Sequence, residues 1–340
     1  MRKLLNTLYI TTPDAYLSKD GLNIVVSVNK NELFRIPIMN IESIVTFGYA
    51  GASPGLMKLC IEYNVSLVFL SSQGRFIGRL QGETKGNVLL RKKQYSLSED
   101  MEKALHLGKL FIAGKVYNSR NILRRFIRDN GMDEAVEYAA KQLEWSRKNV
   151  MEADSIEVLR GEEGRAAIVY YGVFNHLILN QKEEFSFQGR SRRPPKDEIN
   201  AMLSFVYTLI ANDVTSALES VGLDPYVGFM HALRPGRTSL ALDMMEEFRA
   251  YLGDRLVLSM INRRQVSKIG FISHGDGSIV MTDDCRKEVL SSWQKRKQEI
   301  IEHPYLRERI PIGLLPYAQA MLLSRYLRGE LDDYPVFLMK

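Results

Sequence analysis

An α+β chain is predicted, a β-rich N-terminal domain followed by a larger all-helical domain, and three observations predict it. Residues 4–47 alternate apolar and polar positions in short runs. Beyond Ser98 the apolar positions recur with long helical periodicity. Between the two lies 81–93, a Gly-containing, polar and basic stretch suited to a connection. The chain has 340 residues, enough for two domains that each bury a core. The expected division is 1–82 for the β-rich domain, 83–98 for a linker and 99–340 for the helical domain.

Residues 1–10 have a positive front but turn polar at Thr11, Thr12 and Asp14, without the apolar core and cleavage site of a signal peptide, so they read as a strand. Residues 22–28 and 41–47 read as strands, with turns at Asp20-Gly21 and Asn29 to Asn31. Pro54-Gly55 opens a short helix to about Tyr63; 65–70 and 75–80 return to strand character, with a turn at Gln73-Gly74. Helices are expected around 99–129, 132–148, 162–181, 197–220, 240–260 and 284–301, and from about Pro316 to Arg328. Pro194-Pro195 followed by Asp197 supplies the start of the fourth, because proline tolerates a first helical turn and Asp suits the amino end.

Apolar residues make up 45% and charged residues 25%, as in ordinary globular proteins. No run approaches the roughly 20 apolar residues of a membrane helix, so no membrane partner is expected. Two cysteines, Cys60 and Cys285, provide neither a disulfide framework nor a thiolate metal site, which fits a reducing cytoplasm. Formal charge is +6, and the cations cluster at 91–93, 115–128, 190–196, 263–264 and 295–297. Five clusters after residue 90 favour a nucleic-acid surface on the second half.

Three distant stretches present metal-ligating side chains: Glu163 in 161–167, His231 after 222–230, and Asp243 with Glu246 in 239–249. Asp243 and Glu246 stand three apart on an expected helix, so both carboxylates can reach one point, while Glu247 points elsewhere. Carboxylates with a neutral imidazole suit Mn²⁺ and tolerate Mg²⁺, whereas zinc attracts more His or Cys ligands. Each stretch alone has a structural account. Glu246 could pair with Arg249 on a solvated face, Glu163 could favour a helix amino end, and His231 could be a hydrogen-bonded core residue.

In that order the segments resemble the CRISPR-associated integrase family, the metal-dependent subunit of the spacer-acquisition complex and the first of the numbered CRISPR-associated proteins. The resemblance spans almost the whole chain, including 91–95, 114–120, Glu163-Gly-Arg-Ala-Ala167, Gly222-Leu-Asp-Pro225 leading to His231, and 242–249. The opening residues look most like its I-C branch. The resemblance implies metal ligands at Glu163, His231 and Glu246, with Asp243 a supporting acid, and it alone separates Glu163 from Glu162. Relatives often carry Asp where this chain has Glu246, which leaves open whether Asp243 or Glu246 lies closer to the metal. It further implies a dimerising β-rich domain, a helical catalytic domain, and a small ferredoxin-like partner bridging two homodimers.

The implied chemistry is joining of DNA 3′-hydroxyl ends of a captured double-stranded fragment into the repeat array by transesterification, with associated endonuclease activity and Mg²⁺ or Mn²⁺ as cofactor. Arg120, Arg124, Arg190, Arg192 and Arg193 are the expected contacts to the DNA backbone. His231 could instead be a general base, but ligation is favoured because the two acids need a third partner. The rivals are a structure-specific nuclease acting by hydrolysis, a non-catalytic DNA-binding scaffold and, last, a hydrolase of small substrates.

Overall fold

The computed structural model describes residues 6–48, 50–72, 74–82 and 88–339. The start of the expected first strand, Gln73 of the expected turn, and the boundary near residue 83 lie outside them.

The N-terminal region is β-rich, as expected. Its strands are β1 (Thr7–Ile10), β2 (Tyr16–Asp20), β3 (Asn23–Val28), β4 (Asn31–Pro37), β5 (Ser43–Phe47) and β6 (Gly51–Ala52), followed by helix α1 (Pro54–Glu62), β7 (Ser66–Leu70) and β8 (Phe76–Arg79). Ser53 caps α1 by accepting from the Leu56 N–H, and Pro54 occupies its first turn. Two four-stranded sheets form, in the orders β4-β3-β2-β6 and β1-β5-β7-β8. In the second sheet β5 pairs in parallel with β1 and with β7.

Alternation along β5 and β7 places this sheet between two cores. Ile44 and Leu67 join Leu17, Ile24, Val26 and Leu56 of the small N-terminal core. Their neighbours Val45, Phe47, Val68 and Leu70 belong to the large core that runs through the helices. The two regions are therefore seated on one another through a sheet buried on both faces.

Helix α2 (Val88–Glu99) overlaps the expected linker, so from Val88 onward that stretch is helical. The buried Gln94 side chain donates to the Asp224 and Val227 carbonyls and accepts from the Asp224 N–H. A buried polar residue at a core-facing position hid the helix from hydrophobic periodicity. Next come α3 (Met101–Asn130), α4 (Glu134–Glu152), α5 (Ile156–Gly172) and α6 (Glu198–Ser220). Asp100, Asp133, Ser155 and Asp197 each cap the helix that follows. By length and composition α6 could cross a membrane, contrary to the expectation that no segment approaches that character; two-thirds of its apolar window is buried in the core.

The single helix expected over 240–260 is three pieces: α7 (Ser239–Met245), a wider π-type turn over Arg249–Asp254, and α8 (Arg255–Asn262). The wide turn buries Arg249 and Asp254. The chain then forms the ribbon β9 (Phe271–Ser273) and β10 (Ile279–Met281), helix α9 (Asp283–Gln298), the ribbon β11 (Ile300–Glu302) and β12 (Arg309–Pro311), and α10 (Leu315–Leu327). These two ribbons make the second region mainly helical rather than all-helical.

Candidate metal centre and the basic surface around it

The site is built where α3, α5 and the broken 239–254 segment meet. Helix α5 begins at Ile156, six residues before the expected start, so Glu163 lies in its third turn and the helix-end account of this acid does not apply. Glu162 turns toward Asn149 and Arg165, at 3.4 and 3.3 Å. Glu163 faces α3, where its Oε1 accepts from Lys115 Nζ.

Glu246 comes to the same ammonium. Its Oε2 lies 2.9 Å from Lys115 Nζ, and its Oε1 lies 2.9 Å from Arg249 Nη2. Burial alone would raise the Glu246 carboxyl, but Arg249, Lys115 and His231 outweigh it and hold the group down at about 2. Burial likewise works against the Lys115 ammonium, and the Glu246 and Glu163 charges more than offset it. Arg249 is fixed from behind, its guanidinium 4.8 Å from the Tyr207 ring centroid.

Asp243 does a different job. Its Oδ2 accepts from the N–H groups of Phe229 and Met230 at 2.6 and 3.0 Å, and its Oδ1 from the N–H and Nδ1 of His231 at 2.9 and 2.6 Å. A carboxylate only accepts, so Nδ1 carries a proton and Nε2 is left outside this contact. The backbone can come this close because residue 228 is glycine. A Cβ there would stand 2.6 Å from Asp243 Oδ2 and 2.7 Å from the Ser239 carbonyl carbon. The two carboxylates expected to reach one point have different hydrogen-bond and ion-pair partners: Asp243 is spent on the 229–231 loop, and Glu246 on Lys115 and Arg249.

Among the described residues no three His, Cys, Asp or Glu side chains stand ready to hold a metal. The donor set nevertheless fits one. Two carboxylates converge on a single cation, Lys115, and the ammonium is the partner that faces the buried Glu246 Oε2. Of the four acids and bases expected here, Glu163 and Glu246 are brought together, His231 is close enough to act on Glu246 electrostatically, and Asp243 supports His231.

The expected DNA contacts divide. Arg190 is turned inward: Nη1 donates to the Ser191 carbonyl and Asn200 Oδ1, both at 2.6 Å, and the guanidinium lies over Tyr207. Arg120 is largely covered and paired with Glu144 at 3.2 Å. Arg124, Arg192 and Arg193 are exposed. Sequence reasoning missed the arginines beside His231. Arg160 donates to the Met230 carbonyl at 2.6 Å, and Arg234 and Arg237 follow His231 by three and six residues. Burial and then Arg234, with Arg160 and Arg192 further off, hold the Arg237 guanidinium below its ordinary range. Among the described residues Arg160, Arg192, Arg234 and Arg237 form no ion pair, although Asp243 acts favourably on Arg237. The spacing from His231 was the signal that could have found them.

The family described as CRISPR associated protein Cas1 matches residues 8–295. The chain is similar to a CRISPR-associated endonuclease Cas1 of Chlorobaculum tepidum, 46% identical over 343 residues, and to one of Rhodospirillum rubrum, 48% identical over 350; both alignments cover all of each chain. Among solved structures, a CAS1 protein from Thermotoga maritima superposes with a TM-score of 0.82 at 22% identity, over 98% of this chain and 100% of that one. A casposase bound to an integration product gives 0.85 at 21% identity, over 98% and 93%. A Cas6-RT-Cas1–Cas2 complex gives 0.82 at 20% identity, over 98% of this chain and 36% of that one.

Proposed function

The chain belongs to the CRISPR-associated protein Cas1 family of endonucleases, and from that membership we propose that it is a metal-dependent DNA integrase of CRISPR adaptation. It joins 3′-hydroxyl ends of a captured duplex to the repeat array by exchanging one phosphodiester for another. We assign it to the I-C branch on its opening residues and place it in the cytoplasm, where its two buried, unpaired cysteines need no oxidant. It works as a homodimer through its β-rich domain, residues 1–82, with a small ferredoxin-like partner; structures of the same fold include a Cas1–Cas2 assembly and an enzyme with its DNA integration product.

The observation that carries this reading is the convergence of half-buried Glu163 and buried Glu246 on one cation, with His231 beside them. These three side chains would hold Mg²⁺ or Mn²⁺. When bound, such an ion supplies Lewis acidity at the target phosphate and favours the deprotonated attacking hydroxyl. Asp243 holds the His231 ring so that Nε2 faces outward, the arrangement expected of a ligating imidazole and its carboxylate. Arg160, Arg192, Arg234 and Arg237 bind the DNA backbone next to it, and exposed Arg124 and Arg193 extend that surface. Arg249 keeps Glu246 ionised and in place.

The same residues would hydrolyse DNA if water took the place of the 3′-hydroxyl, so a nuclease reading stands as the alternative. A scaffold reading gives no reason for two acids, one of them fully buried, to be drawn together on one ammonium, a costly arrangement for architecture alone. The test mixes purified protein, Mn²⁺, a short duplex with free 3′-hydroxyls and a supercoiled repeat-bearing plasmid, with and without the small partner. Joined DNA that disappears in Glu163→Gln is expected. Cleavage without joining in the presence of partner would favour the nuclease, and unchanged products in Glu163→Gln would leave only the scaffold.

A further inference from the structure

We infer that Lys115 is the resident cation of this site, and that a divalent metal enters by exchange with its ammonium rather than by filling a vacant place. The inference rests on the metal-site reading above and deepens it.

The geometry is that of a substitution. Lys115 Nζ pairs with both acids expected to ligate, Glu163 Oε1 and Glu246 Oε2, from a third helix. The two glutamates come from α5 and from the residue just past α7, so their oxygens meet only because something positive lies between them. Glu246 has a second cation, Arg249, but the two are not equivalent. Arg249 is buried, stacked on Tyr207 and bound to the other carboxylate oxygen, Oε1. Both side chains are nearly covered, 12% and 10% exposed, but Lys115 reaches in on a flexible four-carbon stem without an aromatic ring stacked on its charge, so it is the freer of the two to leave.

Sequence places this lysine deliberately. Residue 114 is held against the C-terminal segment, where a Cβ would stand 2.5 Å from Val336 Cγ2, and the glycine there lets α3 sit close. Lys115 is the next residue on α3, turned to the acids. A divalent ion held by Glu163 and Glu246 would compete with the ammonium that now pairs with both, and two cations there would oppose each other. Removing the ammonium should therefore tighten metal binding, while leaving the metal-free protein with half-buried Glu163 and buried Glu246 short of a shared counter-charge.

The experiment titrates Mn²⁺ into the full chain by calorimetry and follows thermal unfolding of each variant with and without the metal. Lys115→Met is expected to bind Mn²⁺ at least about tenfold more tightly than wild type, to melt earlier without metal, and to gain more from metal. Lys115→Arg, which keeps the charge, should show no such gain. Equal or weaker binding by Lys115→Met overturns the exchange. Glu246→Gln separates this from the parent reading: if it binds Mn²⁺ as wild type does, the metal site itself is misassigned and the inference falls with it. Should Lys115→Met fail to fold, the wild-type protein still decides. Mn²⁺ should raise reductive methylation of Lys115, read by mass spectrometry, and no rise would refute its release.

Discussion

Glu246 and Glu247 are sequence neighbours, both buried, and the surroundings of each make them different groups. Glu246 looks into a pocket of cations, Lys115 and Arg249, and is held at about 2. Glu247 looks the other way, into neutral donors: the Tyr334 hydroxyl at 2.6 Å, the Phe337 N–H at 2.6 Å and Gln319 Nε2 at 2.8 Å. Burial dominates there and pushes it up to about 8. One acid is kept charged among cations, and the other latches the C-terminal segment onto the helical region. Asn118 completes that latch by donating to the Glu247 and Phe337 carbonyls. What a buried acid does is decided by the charge of its neighbours rather than by its depth.

The contrast breaks most sharply at Glu246. Glu246→Gln should lower the rate of DNA joining by at least about a thousandfold, roughly 4 kcal/mol of lost transition-state stabilisation, in a gel assay of joined product. Glu247→Gln should stay within about tenfold of wild type in the same assay. Stability should respond in the opposite sense. Glu247→Ala strands three donors and is expected to cost about 2–4 kcal/mol in urea denaturation, with Glu247→Gln costing less than half of that.

A third buried acid sharpens the point. Asp254, on the wide turn, accepts from the Tyr207 hydroxyl at 2.5 Å, and burial raises it to about 6. A folded-state value above the unfolded one means that the folded protein binds the proton more tightly. Its contribution to stability is therefore fully present below about pH 4 and lost as pH rises through about 6. Relative to Asp254→Asn, wild type should gain on the order of 2 kcal/mol between pH 7 and pH 4, measured by chemical denaturation across that range.

Smaller effects are expected around the histidine. Asp243→Asn leaves the 229–231 loop and the His231 ring poorly held and should lower Mn²⁺ affinity about 10- to 100-fold. Replacing Arg234 and Arg237 with alanine should weaken DNA binding alike for all sequences and reduce the slope of affinity against salt by about one to two contacts, read by fluorescence anisotropy.

Much of the fold was legible in the sequence because period-2 and period-3.6 patterns follow directly from which faces are buried, as β5, β7 and α6 illustrate. Helix α2 was not, since Gln94 is buried for its hydrogen bonds to 224–227 and breaks the apolar pattern. Glu163 and Glu246 could be found as residues, and the family resemblance separated Glu163 from Glu162. The division of labour between Asp243 and Glu246 could not, because it depends on a loop folding back over Gly228. Lys115 was seen only as part of a basic cluster. A search for ligands overlooks the cation that stands among them.

The central claim is that Glu163, His231 and Glu246 share one metal ion. Electron spin-echo modulation of bound Mn²⁺ tests it most directly. The account predicts coupling to a single imidazole nitrogen that vanishes in His231→Gln. Bound Mn²⁺ with no nitrogen coupling, or coupling that survives His231→Gln, would contradict it.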